Sequence, residues 1–283
     1  MSPAASPEAL AADWSGQPEP DVFRLKEARR AFRIFWRLTL ASMQGFTNQR
    51  LLGWVWWLID PLALIGVYAL VFGVILGMRE GPEGAAYPFF LTCALVPWRW
   101  LSLATRRGGA AFLTNAPLLS STLVGRRLVM SSQVASASLE CLMGIPVLLV
   151  FMLVYDRPFT LELLWLPVPL LVLGVLVMAV SFMMCPLMVM LPDLGNAYDV
   201  FLRVAFFLTP CVYSLERIPA DLRDTYVAVN PLAGIIEGIR RPLFDASPPL
   251  WDALGWSAVW AVGLFVVGHW MFKRLGNDAI RML

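Results

Sequence analysis

The stretch that decides the fold runs from Leu25 to Gly77, LKEARRAFRIFWRLTLASMQGFTNQRLLGWVWWLIDPLALIGVYALVFGVILG. In its first half Arg29, Arg30, Arg33 and Arg37 are interleaved with Phe32, Phe35, Trp36, Leu40 and Met43. The apolar members recur at three- and four-residue spacing, which places them on one face of a helix. Such a helix lies in the headgroup layer, its arginines toward anionic lipid and its aromatics at the acyl boundary. The second half, Trp54 to Gly77, carries Asp60 as its one charge. It is long enough to cross a bilayer, which takes about 20 apolar residues.

Composition extends that reading to the rest of the chain. Of 283 residues 59% are apolar and 15% charged, and the mean hydropathy is +0.68. A soluble domain carries about 25% charged residues, so most of this surface faces lipid or other helices. Only Lys26 and Lys273 are lysines, and neither follows a glycine. A Walker A phosphate loop needs a Gly-Lys step and is therefore excluded within these residues. Cys93, Cys141, Cys185 and Cys211 all fall in apolar runs with no CxxC pair, which reads as inert thiols. His269 is the one histidine, so neither a metal site nor a catalytic triad is expected. Residues 1–22 are rich in Pro, Ala, Ser and acids, lack a basic leader, and are expected to be a disordered tail.

Hydropathy places six spans, at about 54–77, 87–104, 128–155, 163–191, 200–213 and 253–272. The expected fold is thus an all-α integral membrane protein. It has an amphipathic interfacial helix over 23–50 and a six-helix transmembrane domain over 51–283. The segment 214–252 mixes charge with an apolar run, Leu232 to Ile239, too short to cross, and is expected to form short re-entrant helices before the last span. With both termini cytoplasmic, fifteen basic residues fall on the inner side and six in outer loops, in the sense of the positive-inside rule.

Charges within spans are costly and mark function by default. Arg99 sits in the cluster Pro97-Trp98-Arg99-Trp100, and Arg203 opens the fifth span; both have stems long enough to snorkel. Asp60, before Pro61, is either functional or a helix cap. Glu140, midway along the third span, cannot reach an interface and should face a partner or a wet cavity. Tyr87, Phe89 and Phe90 cluster at the outer end of span two, and Phe206, Phe207 and Tyr213 toward the outer end of span five. Most aromatics in such a chain are belt residues, but a ring of them inside a pore would guide a glycan by stacking on its C–H faces.

Several segments, taken in order, resemble a known family. They are the basic lead-in, Leu52-Gly53-Trp54 through Asp60-Pro61-Leu62, PFFLTCALVPWRW at 88–100, and Asn115 with the polar stretch to Arg127. FFLTPCVYSLERIP at 206–219 and NPLAGIIEGIR at 230–240 complete the set. Together they resemble the transmembrane subunit of type-2 ABC exporters, in particular the permeases for polysaccharides and polyol phosphates such as O-antigen, capsule or teichoic acid. One departure is Pro192-Asp193, where the family often has Arg-Asp.

The resemblance implies a homodimeric, channel-forming permease in a bacterial inner membrane, flanked by two copies of a separate ABC ATPase. That partner would bind ATP and Mg, leaving this chain without a cofactor or a catalytic role. The coupling helix would lie in the loop between spans two and three, on Asn115, Leu118, Leu119, Ser120, Ser121, Arg126 and Arg127. A lipid-linked polysaccharide would present its pyrophosphate to Arg50, Arg99 or Arg203 and then pass Tyr87, Phe89, Phe90, Trp98, Phe206, Phe207 and Tyr213. No nucleic-acid partner is expected. The alternatives are an ABC permease for a drug or small lipid and a membrane-embedded transferase acting on lipid-linked sugars. The transferase would need converging acid and base groups, which one histidine and isolated carboxylates do not supply. A secondary transporter would show internal repeats and paired ion-site carboxylates, and neither is present in the sequence.

Overall fold

The computed structural model describes residues 21–48, 55–75, 77, 87–121, 124–142 and 144–283. The expected tail up to residue 20, Arg50, Trp54 and the loop 78–86 lie outside the described residues. Among the described residues the chain is helical, with no strand.

The amphipathic lead-in is α1, Asp21–Asn48. The first apolar segment forms α2, Trp56–Tyr68, and runs on as a π-helical stretch, Ala69–Ile75. Next come α3, Tyr87–Gly109, and two short helices, α4, Ala111–Thr114, and α5, Ala116–Ser121. The third expected span is two helices, α6, Arg126–Cys141, and α7, Gly144–Val154. A 3-10 turn at Leu161–Trp165 leads into α8, Pro167–Met190, which opens on a proline. There the missing amide costs nothing.

Helix α9, Leu194–Leu208, starts and stops earlier than hydropathy places it. Thr209-Pro210 ends it, because proline cannot continue a helix and bars the helical conformation for the residue before it. Then come α10, Ala220–Val229, and α11, Pro231–Arg240, with a π-helical turn at Arg241–Asp245, and finally α12, Trp251–Arg281.

Three described stretches are long and apolar enough to cross a membrane: Arg126–Val154, Leu161–Met190 and Trp251–Arg281. With the helical, strand-free backbone they make this an all-α membrane protein.

Helices α3, α6, α8 and α12 form the centre, and small residues let them approach. At Gly268 an added Cβ would lie 2.5 Å from the Ala179 carbonyl oxygen, and where α11 meets α12 a Cβ at Gly234 would run into the Ala253 carbonyl. Close backbone approach at small residues is the usual basis of helix packing in lipid, where hydrophobic attraction between helices is absent. Around these contacts Phe182 meets Phe265, His269 and Phe272 edge-on. Hydroxyls inside these helices donate back to carbonyls one turn earlier, as Thr92 does to Pro88, Thr105 to Leu101 and Ser138 to Val134. That keeps polar side chains satisfied away from water.

Helix α1 packs on α6, where the Ser42 hydroxyl donates to Gln133 Oε1 at 2.8 Å. Its Phe32, Trp36 and Leu40 remain exposed. Helices α2 and α9 are peripheral to α3, and meet where Phe206 touches both Tyr68 and Trp98 at 5.4 Å.

Candidate functional site

The buried carboxylate of Glu140 finds its partners on α3. Arg107 Nη2 donates to Glu140 Oε2 at 2.6 Å, and Arg99 Nη2 lies 3.9 Å from Oε1. Arg99 and Arg107 are eight residues apart, a little over two turns, so they share a face of α3. Trp100 adds a second tie to α6, its Nε1 donating to Ser138 Oγ at 2.8 Å. The same half of α3 is also fastened to α9. Arg106 pairs with Asp199 at 2.8 Å, and the Tyr198 hydroxyl donates to Thr105 Oγ1 at 2.7 Å. The result is two guanidiniums sharing one carboxylate between two apolar helices, with Arg99 only half-buried.

Beyond α3 the chain turns through α4 and α5. Asn115 stands between them, and its backbone amide and side-chain Nδ2 both donate to the Ala111 carbonyl. Phe112 is fully buried against Phe272 at 5.6 Å. Arg126 hydrogen-bonds Asn277 and lies over the Phe272 ring. The elbow is thereby fixed to the C-terminal part of α12. Asn115, Leu118, Leu119, Ser120 and Arg126 are all brought into it, and Leu113, Ser120 and Arg127 face outward. Ser121 closes α5.

The other end of α3 carries the aromatic cluster. Tyr87, Phe89 and Phe90 are buried within the chain. The Tyr87 hydroxyl donates to the Val212 carbonyl at 3.0 Å. Phe89 stacks with Phe151 and Tyr155 and meets Phe244 at 5.7 Å. Over the Phe90 ring, 3.8 Å from its centre, lies the guanidinium of Arg240. Arg240 pairs with Glu237 at 2.7 Å and donates to the Pro210 and Cys211 carbonyls at 2.7 and 3.1 Å.

Phe206 is buried beside Trp98, while Phe207 and Arg203 are exposed. With Val200 and Val204 they make a stripe at three- and four-residue spacing along α9. The last carbonyls of α9 have no partner within the helix. Tyr213 donates to the Phe207 carbonyl at 3.2 Å, while Tyr226 and Asn230 donate to the Leu208 carbonyl at 2.6 and 3.0 Å. Burial raises the Tyr226 phenol above the ordinary tyrosine value, and its hydrogen bond with Tyr213 pushes the same way. It stays a donor at neutral pH.

The sequence places Asn230, Glu237 and Arg240 in a family segment without a role for any of them, and Tyr226 in none. A signal for Asn230 was present, since Asn-Pro ahead of an apolar run is a helix cap followed by its first residue. Its Oδ1 indeed accepts from the Leu232 amide at 3.0 Å.

No family model matches the chain. Among curated proteins it is similar to an O-antigen export system permease protein, RfbA, of Klebsiella pneumoniae. The two are 27% identical over 227 residues, covering 80% of this chain and 85% of the relative. A second RfbA permease, from Myxococcus xanthus, is 25% identical over 70% of this chain and 75% of its own. The resemblance to polysaccharide export permeases read from the motifs is borne out by these relatives, and the three membrane-crossing stretches make the chain a multi-pass membrane protein.

Proposed function

We propose that this chain is the permease subunit of an ATP-driven exporter that moves a lipid-linked O-antigen polysaccharide across the bacterial inner membrane. The observation that carries the reading is similarity to O-antigen export permeases over most of both chains. The sequence supports a division of labour, because it holds no Walker A loop. ATP and Mg would bind to a separate ABC ATPase, present in two copies, and none of the cofactor chemistry falls on this chain.

The active unit is a homodimer. The apolar faces of α2 and α9 support it: Leu62, Leu64 and Val67 on one, and Val200, Val204 and Phe207 on the other, stand exposed in the single chain. The path runs between two copies on that side, past Trp98, Phe206, Phe207 and Tyr213, with Tyr87, Phe89 and Phe90 as the packed wall behind it. The substrate pyrophosphate enters at Arg50, Arg99 or Arg203, since guanidinium forks match phosphate oxygens. The chain crosses six times with both termini cytoplasmic, α1 lies at the interface beside the ATPase, and α10 and α11 form the re-entrant pair.

In this scheme the elbow of α4 and α5 docks on the ATPase. Closure of the ATPases pushes the elbow, and Phe112 and Arg126 carry the displacement into α12 as a rigid-body motion. Mutation of Leu118 and Leu119 to aspartate, in permease purified with its ATPase in lipid nanodiscs, tests this. We expect ATP hydrolysis coupled to export to collapse and the ATPase to dissociate. Intact complex and export in that variant would refute the coupling role.

A further inference from the structure

At the end of the bundle opposite the elbow, the chain encloses a second feature that export as such does not require. A cavity of about 1130 Å³ lies between the start of α3, α10, α11 and the start of α12. It is of the size of small-molecule binding sites, which run to roughly 1,000 Å³. Five carboxylates and three guanidiniums line it, together with Phe90, Phe244, Trp251 and Trp256.

The wall offers donors and acceptors together. Glu237 is paired with Arg240, Asp245 lies in the field of Arg241, Arg240 and Arg157, and Glu216, Asp224 and Asp252 form no salt bridge among the described residues. Arg240 is 1% exposed, and its Nε is buried with no hydrogen-bond partner; Arg223 Nε is in the same state. Carboxylates accept only, whereas guanidiniums donate only.

A phosphate or carboxylate ligand would satisfy the arginines and be repelled by the excess of carboxylates. An amine would do the reverse. A hydroxyl both donates and accepts, so a polyhydroxylated, uncharged ligand satisfies both kinds of group at once. Two half-exposed indoles, Trp251 at 47% and Trp256 at 53%, line the cavity, Trp251 packed edge-on with Trp165 at 5.0 Å, and indole rings suit the C–H faces of a sugar ring.

We propose that this cavity is a binding site for uncharged sugar residues of the exported glycan, on the side of the membrane away from the ATPase. The proposal rests on the export reading above. It assigns the substrate class as neutral rather than acidic or phosphate-rich polymers.

The test uses the permease with its ATPase in nanodiscs. The probes are the delipidated polysaccharide of the source strain, a neutral mannose oligosaccharide, and an oligogalacturonate of equal length, each followed by saturation-transfer NMR. Binding of a neutral glycan, at least tenfold weakened in both Trp251→Ala and the double variant Asp245→Asn/Asp252→Asn, supports the site. Equal or tighter binding of oligogalacturonate overturns the neutral selectivity. Absence of any neutral-glycan binding, or binding unmoved by the variants, overturns the site. A cavity signal that follows only the phosphatidylglycerol content of the nanodisc assigns it to lipid instead.

In parallel, glycan reaching the surface is measured in an export-deficient strain. Loss of export on disrupting the elbow, with normal export in the cavity variants, leaves the transport reading standing and removes this one. Failure of the unmutated permease and ATPase to restore export would instead remove the transport reading itself.

Discussion

Among the described residues two glutamates are buried near opposite ends of α3, and they are held in different ways. Glu237 is paired within its own helix, by Arg240 three residues on, at 2.7 Å. Arg240 is itself almost fully enclosed, stacks on Phe90 and reaches the carbonyls of Pro210 and Cys211. The pair is a local staple that fixes α11, the turn after α9 and the start of α3 in one geometry. Glu140 is held from another helix, by Arg107 at 2.6 Å and Arg99 at 3.9 Å. Two donors for one acceptor, one of them half-exposed, make a tie between α3 and α6 whose strength depends on how those helices sit. The end near the cavity is thus built to stay as it is. The end near the elbow is built so that a shift between helices has an electrostatic consequence.

The largest effect should come from breaking the staple. Arg240→Leu strands a buried carboxylate, which costs about 3–5 kcal/mol when one partner of a buried pair is removed. We expect a large fall in the unfolding midpoint of the permease in nanodiscs. The double variant Arg240→Leu/Glu237→Leu should recover much of it, because no charge is left behind. An unaltered midpoint in the single variant would erase the distinction between the two glutamates.

A double-mutant cycle then sharpens the other side. Glu140→Gln combined with Arg107→Gln should show a coupling of about 1–3 kcal/mol. The same cycle with Arg99→Gln should show less, in proportion to the longer contact. Equal couplings would mean that the carboxylate is shared evenly and that the tie is as closed as the staple.

How much of this was legible beforehand differs by kind of information. The membrane class and the lead-in helix follow from periodicity and hydropathy, which are local properties of residue order. That Glu140 must have a partner was also readable, because an isolated charge in a span is too costly to leave bare. Which arginine answers it was not, since the contact spans thirty-three residues and depends on how α3 and α6 pack. The end of α9 was misplaced for a definite reason: hydropathy runs on through Cys211-Val212-Tyr213, while Pro210 stops the helix. Tyr87, Phe89 and Phe90 show the harder limit. An aromatic that lines a path and one that packs a core are chemically alike within a bilayer. Within the single chain all three are buried, and Phe90 also borders the cavity.

A smaller effect tests the clamp that joins the staple to α9. Asn230 caps α11 and donates to the Leu208 carbonyl. Asn230→Ala should cost about 1 kcal/mol, the usual value of a lost cap, and Asn230→Asp should keep the cap while losing the donated bond. If the aspartate variant unfolds at the midpoint of the unmutated protein, the cap is the residue's whole contribution. If it matches the alanine variant, the bond to α9 is what matters.

The smallest effect on stability is expected at Arg99, and it is the most informative about function. Its contact with Glu140 is long and its side chain is 28% exposed, so Arg99→Gln should cost at most about 1 kcal/mol, as partly solvated pairs do. Arg107 keeps the carboxylate paired in that variant. If Arg99 meets the substrate pyrophosphate, losing a charge-assisted hydrogen bond of about 1.5–3 kcal/mol should lower export roughly tenfold or more at an unchanged unfolding midpoint. Arg99→Lys keeps the charge but not the planar fork, and should fall between. Export that follows stability through all three side chains would assign Arg99 a structural role, and the entry point would then have to lie at Arg203 or in the segment around Arg50.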